Sequence, residues 1–187
     1  MKGLFIDCGC HDGSSTADFF NWYQLAGDPN DFVAVGFDPN GEFFRAWEKL
    51  ADEYPIMFHC NAVWIDNCDL DFWIGGTDHV SSTVNADKVD EVHYDKEPVK
   101  VRAIDLAEYI NGAAQNFDQI IVRMDIEGAE YDVMEHLIKT GAAEKIDILL
   151  YERHAQKMRD KAADYLAREK DIVDRLKSKV KKVGVIT

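Results

Sequence analysis

The stretch "FIDCGCHDGSST", residues 5–16, decides the fold. An apolar run ends in Asp7. Gly9 and Gly13 follow four apart, and Ser14, Ser15 and Thr16 stand where a helix begins. This is the pattern of a buried strand, a tight turn and a helix N-terminus. Gly9 lets the backbone turn sharply, and Gly13 lets a ligand or a helix approach closely. The three hydroxyl residues supply an N-cap and free amides at the positive end of a helix dipole. Such a loop takes a small anionic group, phosphate or carboxylate. Its spacing, D-x-G-x-x-x-G, is neither the dinucleotide G-x-G-x-x-G nor a Walker loop. Taken alone, it reads equally well as a strand-to-helix turn with no ligand.

Working outward, apolar runs alternate with helical patterns. "LFIDC" (4–8), "FVAVGFD" (32–38), "IMFHCNAVW" (56–64), "IIVRMDIE" (120–127) and "IDILLYER" (146–153) read as five strands. Helical spacing covers 14–26, 41–53, 129–140 and a long amphipathic run over 155–182. Continuous apolar strands alternating with helices predict a Rossmann-like three-layer α/β/α sandwich with a mostly parallel sheet. The expected strand order is 3-2-1-4-5, with "VGVIT" (183–187) beyond the fifth strand. One domain over 1–187 is expected. The alternation breaks only at 64–104, where "LDFWIGG" (70–76) and "VKVRAID" (99–105) are extra strands around a loop at 77–84 and a polar stretch at 85–98. A short helix follows at 106–111. The insertion is where substrate contacts are expected, because variable loops carry function in such folds.

Composition narrows the function classes. The 187 residues are 47% hydrophobic and 30% charged, with a formal net charge of −14. Residues 155–187 carry ten Lys/Arg and five Asp/Glu, a net +5 that leaves −19 for the rest. A body this acidic repels phosphate backbones, so nucleic acid is not the expected partner. The basic end reads as a solvated helix face. No apolar run approaches a membrane span, and the start "MKGLFIDCGC" lacks the apolar core of a signal peptide. The expectation is a cytoplasmic protein whose cysteines, Cys8, Cys10, Cys60 and Cys68, are reduced thiols. No oligomeric state follows from the sequence.

The carboxyl ends of the strands collect polar residues. "GFDPN" puts Asp38 at the end of the second strand, beside the glycine loop, where an acid can accept both hydroxyls of a ribose. "CNAVW" puts Asn61 near the same rim, where an amide can meet an adenine edge. The plainer readings are a helix cap for Asp38 and a turn for Asn61. Strands four and five end in Asp125, Glu127, Glu152 and His154. His154 is the natural base near neutral pH, and paired carboxylates also suit a magnesium-like ion. The plainer reading of "DIEG" (125–128) is a cap for the helix that follows. "CGCH" (8–11) has no second Cys/His pair to complete a zinc site. His59, His79, His93 and His136 read as structural or solvated, and Trp64 and Trp73 as core residues. "HVSST" (79–83) offers hydroxyls to a substrate loop.

"DCGCHDG", "GFDPN", "NAVW" and "VRMDIEGAEYDVM" together resemble class I S-adenosylmethionine-dependent methyltransferases of the FkbM type, with "DIEGAE" (125–130) the most specific piece. The resemblance covers about residues 4–154. It implies that Asp7, Gly9, Cys10, Gly13, Ser14 and Ser15 form the methionine end of a cofactor site, that Asp38 with Pro39 holds the ribose, and that Asn61 and Ala62 lie beside the adenine. It implies that Asp125 and Glu127 face the methyl group and substrate, and that Glu152 and His154 of "YERH" point into the site. The first strand begins where the family usually carries a preceding segment, and the closing strand pair is reduced to "VGVIT". The expected function is S-adenosylmethionine-dependent O-methylation of a small-molecule or carbohydrate hydroxyl. The competing reading is a non-catalytic module on the same fold that binds a nucleoside ligand or a protein partner. A nicotinamide dehydrogenase ranks below both, because the glycine spacing differs.

Overall fold

Every residue of the first strand, β1 (Gly3–Cys8), is buried, so the strand needs cover on both faces. A computed structural model describes residues 2–26, 32–76, 81–89, 94 and 97–186. In it β1 lies inside a six-stranded sheet ordered β3-β2-β1-β7-β8-β9. The neighbours are β2 (Phe32–Phe37), β3 (Ile56–His59), β7 (Gln119–Met124), β8 (Ile148–Glu152) and β9 (Lys182–Ile186). All five pairings are parallel. The strand order read from the sequence is the observed one, with the last segment as a sixth strand.

The period-two alternation of strand side chains splits the core into two. Leu4, Ile6, Cys8, Val35, Phe37, Ile120, Val122 and Met124 face α3 (Leu106–Ala113), α4 (Glu130–Thr140) and α5 (Ala162–Leu176). Phe5, Phe32, Ala34 and Ile121 face the Phe19, Phe20 and Tyr23 side of α1 (Ser14–Ala26). On that side Gly36 makes room for Trp47 of α2 (Phe44–Ala51). A Cβ at Gly36 would lie 2.0 Å from the indole. The fold is thus the three-layer α/β/α sandwich expected.

Three boundaries differ from the sequence reading. The apolar run 56–64 is two strands in two sheets. The Asn61 amide donates back to the His59 carbonyl at 2.8 Å, and that turn ends β3. The chain then enters β4 (Ala62–Trp64), which pairs in parallel with β6 (Val99–Asp105). The latter takes β5 (Asp69–Phe72) antiparallel on its other side. The expected long helix over 155–182 is broken at its start. Two 3₁₀ turns, Ala155–Lys157 and Arg159–Lys161, precede α5, because Arg159 takes a left-handed φ of 50° that no helix continues through. At the other end α5 stops at Leu176. The helix expected over 41–53 begins as a 3₁₀ turn, Gly41–Phe43, capped by the Asn40 side chain. In α2 Trp47 is buried but Phe44 is exposed, so the expected apolar side is narrower than its spacing implied.

The remaining polar candidates settle as structural contacts. The His59 ring stacks on Phe37, and His136 pairs with Asp105 at 3.0 Å. Trp64 packs against the larger core. His79 and His93 lie outside the described residues. No helix among the described residues is long and apolar enough to cross a membrane.

Two glycines test this packing in opposite directions. Gly36→Val drives the Trp47 indole from its place and should destabilise by about 1–3 kcal/mol, the usual range for overpacking. Gly112, inside α3 with nothing within 4 Å of an added Cβ, should gain about 0.5–1 kcal/mol as Gly112→Ala. Urea unfolding of both variants measures this, and equal midpoints would contradict the packing.

Candidate functional site

The first loop is fixed by a buried carboxylate. In the β1–β7 register Asp7 lies opposite Arg123. Arg123 Nη1 donates to Asp7 Oδ1 at 3.0 Å, and Nη2 donates to Asp125 Oδ2 at 2.9 Å. The Ser15 and Thr16 hydroxyls donate to Asp7 Oδ2 at 2.6 and 2.7 Å. A carboxylate inside a sheet must be fully partnered, and these partners leave Asp7 facing its own chain. Of the three hydroxyl residues expected to cap α1, Ser15 and Thr16 are thereby turned inward, and Ser14 is exposed. Asp12 does the capping, accepting from the Ser14 amide at 3.0 Å. A Cβ at Gly13 would meet Leu50 and Trp47, so the close approach there is a helix. Gly9 has φ 75°, and a Cβ on it would fall 1.8 Å from the Asp125 carbonyl oxygen. It lets the loop after β7 come against the loop after β1. Burial, with Asp7 adding, pushes the Cys8 and Cys10 thiols up, so both stay protonated.

A cavity opens above these strand ends. Its floor and one wall come from Gly9, His11, Asp38, Pro39 and Asn40. Asp38 Oδ2 accepts the His11 amide at 3.0 Å and Oδ1 the Asn40 amide at 2.9 Å. Burial raises its carboxyl above the ordinary value of 3.8, against the pull of those two amides. Asn40 Nδ2 is buried with no hydrogen-bond partner. Nothing in the sequence reading singled out Asn40, because "DPN" reads as a turn. Phe37, Ala62, Val63 and Phe72 form an apolar wall. Asn61 is not on it. Its side chain donates to the Arg102 carbonyl at 3.3 Å, and its neighbour Ala62 faces the cavity instead.

The opposite wall is the "DIEGAE" loop. Asp125 and Glu127 both line the cavity. They are not the cap of α4. That helix has no side-chain cap; Glu130, its first residue and wholly buried, holds the loop before it, accepting the Ile126 and Gly128 amides at 2.8 Å each. Glu130 Oε1 also lies 2.9 Å from His154 Nδ1. The ring Nε2 is thereby directed at three acids, 3.2 Å from Glu127, 3.5 Å from Glu152 and 3.9 Å from Asp125. Burial raises the Asp125 carboxyl, with Arg123 opposing and Glu152 adding. Glu127 holds a left-handed φ of 56°, and His11 across the cavity one of 48°. Backbone held this way costs of order 1–3 kcal/mol per residue and clusters at functional sites.

The region read as an insertion supplies the cover. Ser82, Thr83 and Val84 line the cavity. The Thr83 hydroxyl donates to the Glu127 carbonyl at 2.8 Å, and Asn85 Nδ2 to the Gly128 carbonyl at 2.8 Å and the Tyr165 hydroxyl at 3.1 Å. Arg159 donates to the Val89 carbonyl at 2.7 Å, and Lys161 to Asp87 at 2.6 Å. Lys88 is buried and ion-paired to Glu127. Burial, with the Lys157 charge adding, brings its ammonium down to about 8. The polar stretch 85–98 gave no periodicity that would mark a lysine as buried. Ligand atoms of Asp125, Glu130 and His154 fall within 4.8 Å of one another, but the Glu130 oxygens already serve two amides and the imidazole.

A family model described as "Methyltransferase FkbM domain" matches residues 7–179 of the chain. No curated protein matches it.

Glu130 holds three donors without solvent. Glu130→Gln replaces one acceptor oxygen by a donor and should destabilise by about 1.5–3 kcal/mol, roughly 3–12 °C in Tm at this size. A melt indistinguishable from the parent would show that the loop does not depend on this carboxylate.

Proposed function

The chain belongs to the FkbM methyltransferase family, and on that premise we propose that it uses S-adenosylmethionine to methylate a hydroxyl of a small-molecule or carbohydrate acceptor. The observation that carries the reading is His154, buried, fixed through Nδ1 by Glu130 and facing acids of the cavity wall through Nε2. A pure binding module has no use for an imidazole held in this way.

The cavity's chemistry fits the cofactor. Asp38 spends one hydrogen bond per oxygen on the loop amides, which leaves acceptor capacity for a diol. Asn40 Nδ2 is an unpaired donor beside it. The Phe37, Val63 and Phe72 wall suits a flat base, and Asp125 and Glu127 suit a group bearing positive charge. When bound, S-adenosylmethionine supplies a methyl group on a sulfonium centre. The protein's part is to hold the acceptor in line and to take its proton as the C–O bond forms. Glu127, on the cavity wall, receives that proton. His154 behind it holds the charge, with Glu130 keeping Nε2 turned toward Glu127. Asp125 stands beside Glu127 on the wall, whereas Glu152, 3.5 Å from Nε2, lines a separate pocket. The acidic body favours a neutral acceptor over an anionic one. We infer a cytoplasmic setting, without nucleic acid or membrane as partner.

Two measurements test the reading. Asp38→Ala should weaken S-adenosylmethionine binding by roughly one to two decades, the loss of a charged hydrogen-bond acceptor. Because burial raises the Asp38 carboxyl and the ribose needs it ionised, affinity should fall as pH drops through a value above 3.8, the ordinary one. Asp38→Asn should lose that inflection, and unchanged calorimetry in folded variants would remove Asp38 from the cofactor site.

Labelled S-adenosylmethionine with a panel of sugars and small alcohols tests the transfer itself. The parent should label a product. Glu127→Gln and His154→Ala should bind the cofactor nearly as well yet lose turnover about 10²–10⁴-fold. Tight cofactor binding with no product across the panel would favour the binding module.

A further inference from the structure

One buried charge has no part in the proton path, and it is ion-paired to an acid of the cavity wall. His154 Nε2, Glu127 Oε2, Glu152 Oε1 and Asp125 Oδ1 converge from four positions, with the oxygens 3.2, 3.5 and 3.9 Å from the nitrogen. One imidazole nitrogen faces three carboxylates, the donor types that a divalent cation takes. The Glu130 carboxylate on the far ring nitrogen is the outer partner that metal-ligating histidines ordinarily have. His154 is wholly buried, and its Nε2 makes no hydrogen bond. Three neighbouring carboxylates repel one another unless a cation stands among them. Arg123 serves Asp125 from one side, and Lys157 lies 3.7 Å from Glu152 at the surface. The cation that reaches Glu127 is the Lys88 ammonium, only 6% exposed.

We propose that Lys88 is the site's own cation, its ammonium filling the place against Glu127 that a divalent metal would otherwise take. Lys88 belongs to the 81–89 segment, whose Ser82, Thr83 and Val84 line the cavity. Laying down that wall and neutralising the acids are therefore one event. The charge differs from that of a metal site, because the Lys88 ammonium brings one positive charge to Glu127 where a divalent ion would bring two. The smaller charge leaves Glu127 easier to protonate than a divalent ion would. A divalent ion would compete for the same oxygens. The catalytic meaning of this rests on the methyl-transfer reading above, but the occupancy does not.

The test uses Mn²⁺ alone, without cofactor or acceptor, titrated calorimetrically and by electron paramagnetic resonance. The parent, Lys88→Met and Lys88→Met/Glu127→Gln are compared. Lys88→Met should bind Mn²⁺ at least roughly tenfold more tightly than the parent, about 1.4 kcal/mol, and the double variant should lose that gain. Equal affinity in the parent and Lys88→Met would show that the ammonium does not fill the place. A folded Lys88→Met that binds no ion would show that the four groups are no cation site. If Lys88→Met fails to fold, Lys88→Gln, which keeps a hydrogen-bond donor without the charge, carries the same two outcomes. A cofactor-free result in favour of Lys88 would stand even if no acceptor were ever methylated.

Discussion

The rest of the structure hangs on one buried chain of charge, Asp7–Arg123–Asp125. Its middle member bridges two strands in register and then reaches past the end of its own strand. A buried ion pair contributes little net stability against a well-packed apolar alternative, but leaving one member unpaired costs several kcal/mol. Its use here is to specify geometry. A slip of one residue between β1 and β7 would place Asp7 opposite an aliphatic side chain and strand the guanidinium. The same pair fixes both ends of the site. Asp7 draws Ser15 and Thr16 inward and so sets how α1 leaves the first loop. Arg123 holds Asp125 against the cavity.

The loop after β7 stands on this anchor, and its shape is demanding. Glu127 and Gly128 both have positive φ, and Gly128 has no room for a Cβ beside the Met158 methyl. Glu130 stabilises the turn from inside by taking two of its amides. The division of labour is clear in the chemistry. The acid that holds the loop is wholly buried and saturated, whereas the acids on the cavity wall keep unused acceptor capacity. Left-handed backbone at Glu127 and His11 faces the same space from two loops. The surrounding hydrogen bonds hold both residues in place.

Much of this was legible in the sequence because it follows from short-range pattern. The buried strands, their order and the acids at their carboxyl ends all come from apolar runs and the residues that end them. The splitting of 56–64 was not legible, since the turn at Asn61 carries no glycine and its backbone hydrogen bond leaves no trace in composition. The break before α5 was hidden for a similar reason, because Arg159 is an ordinary helix former in a left-handed conformation that only tertiary contacts impose. Glu130 was visible inside "DIEGAE", but nothing local tells which acid of three turns inward. Lys88 and Asn40 lie in polar stretches whose burial depends on partners far along the chain. What sequence periodicity cannot report is contact between segments 40 to 80 residues apart, and the cover over Glu127 is made of such contacts.

The fastening of the cover segment has a consequence for the order in which the molecule is made. Its hydrogen bonds to Arg159, Lys161 and Tyr165 span 70 to 80 positions, and those to Glu127 and Gly128 span more than 40. A ribosome releases the chain from its N-terminus. The first 63 residues, which include the glycine loop, Asp38, Asn40 and the Ala62–Val63 wall, emerge well before the acids. The cover emerges next and waits with nothing to fasten to. The bonds to Glu127 and Gly128 can form once that loop has emerged, and the fastening is complete only when Tyr165 has left the exit tunnel. Newly made chains therefore present the glycine loop, Asp38 and Asn40 before the segment that covers the cavity can be fastened down.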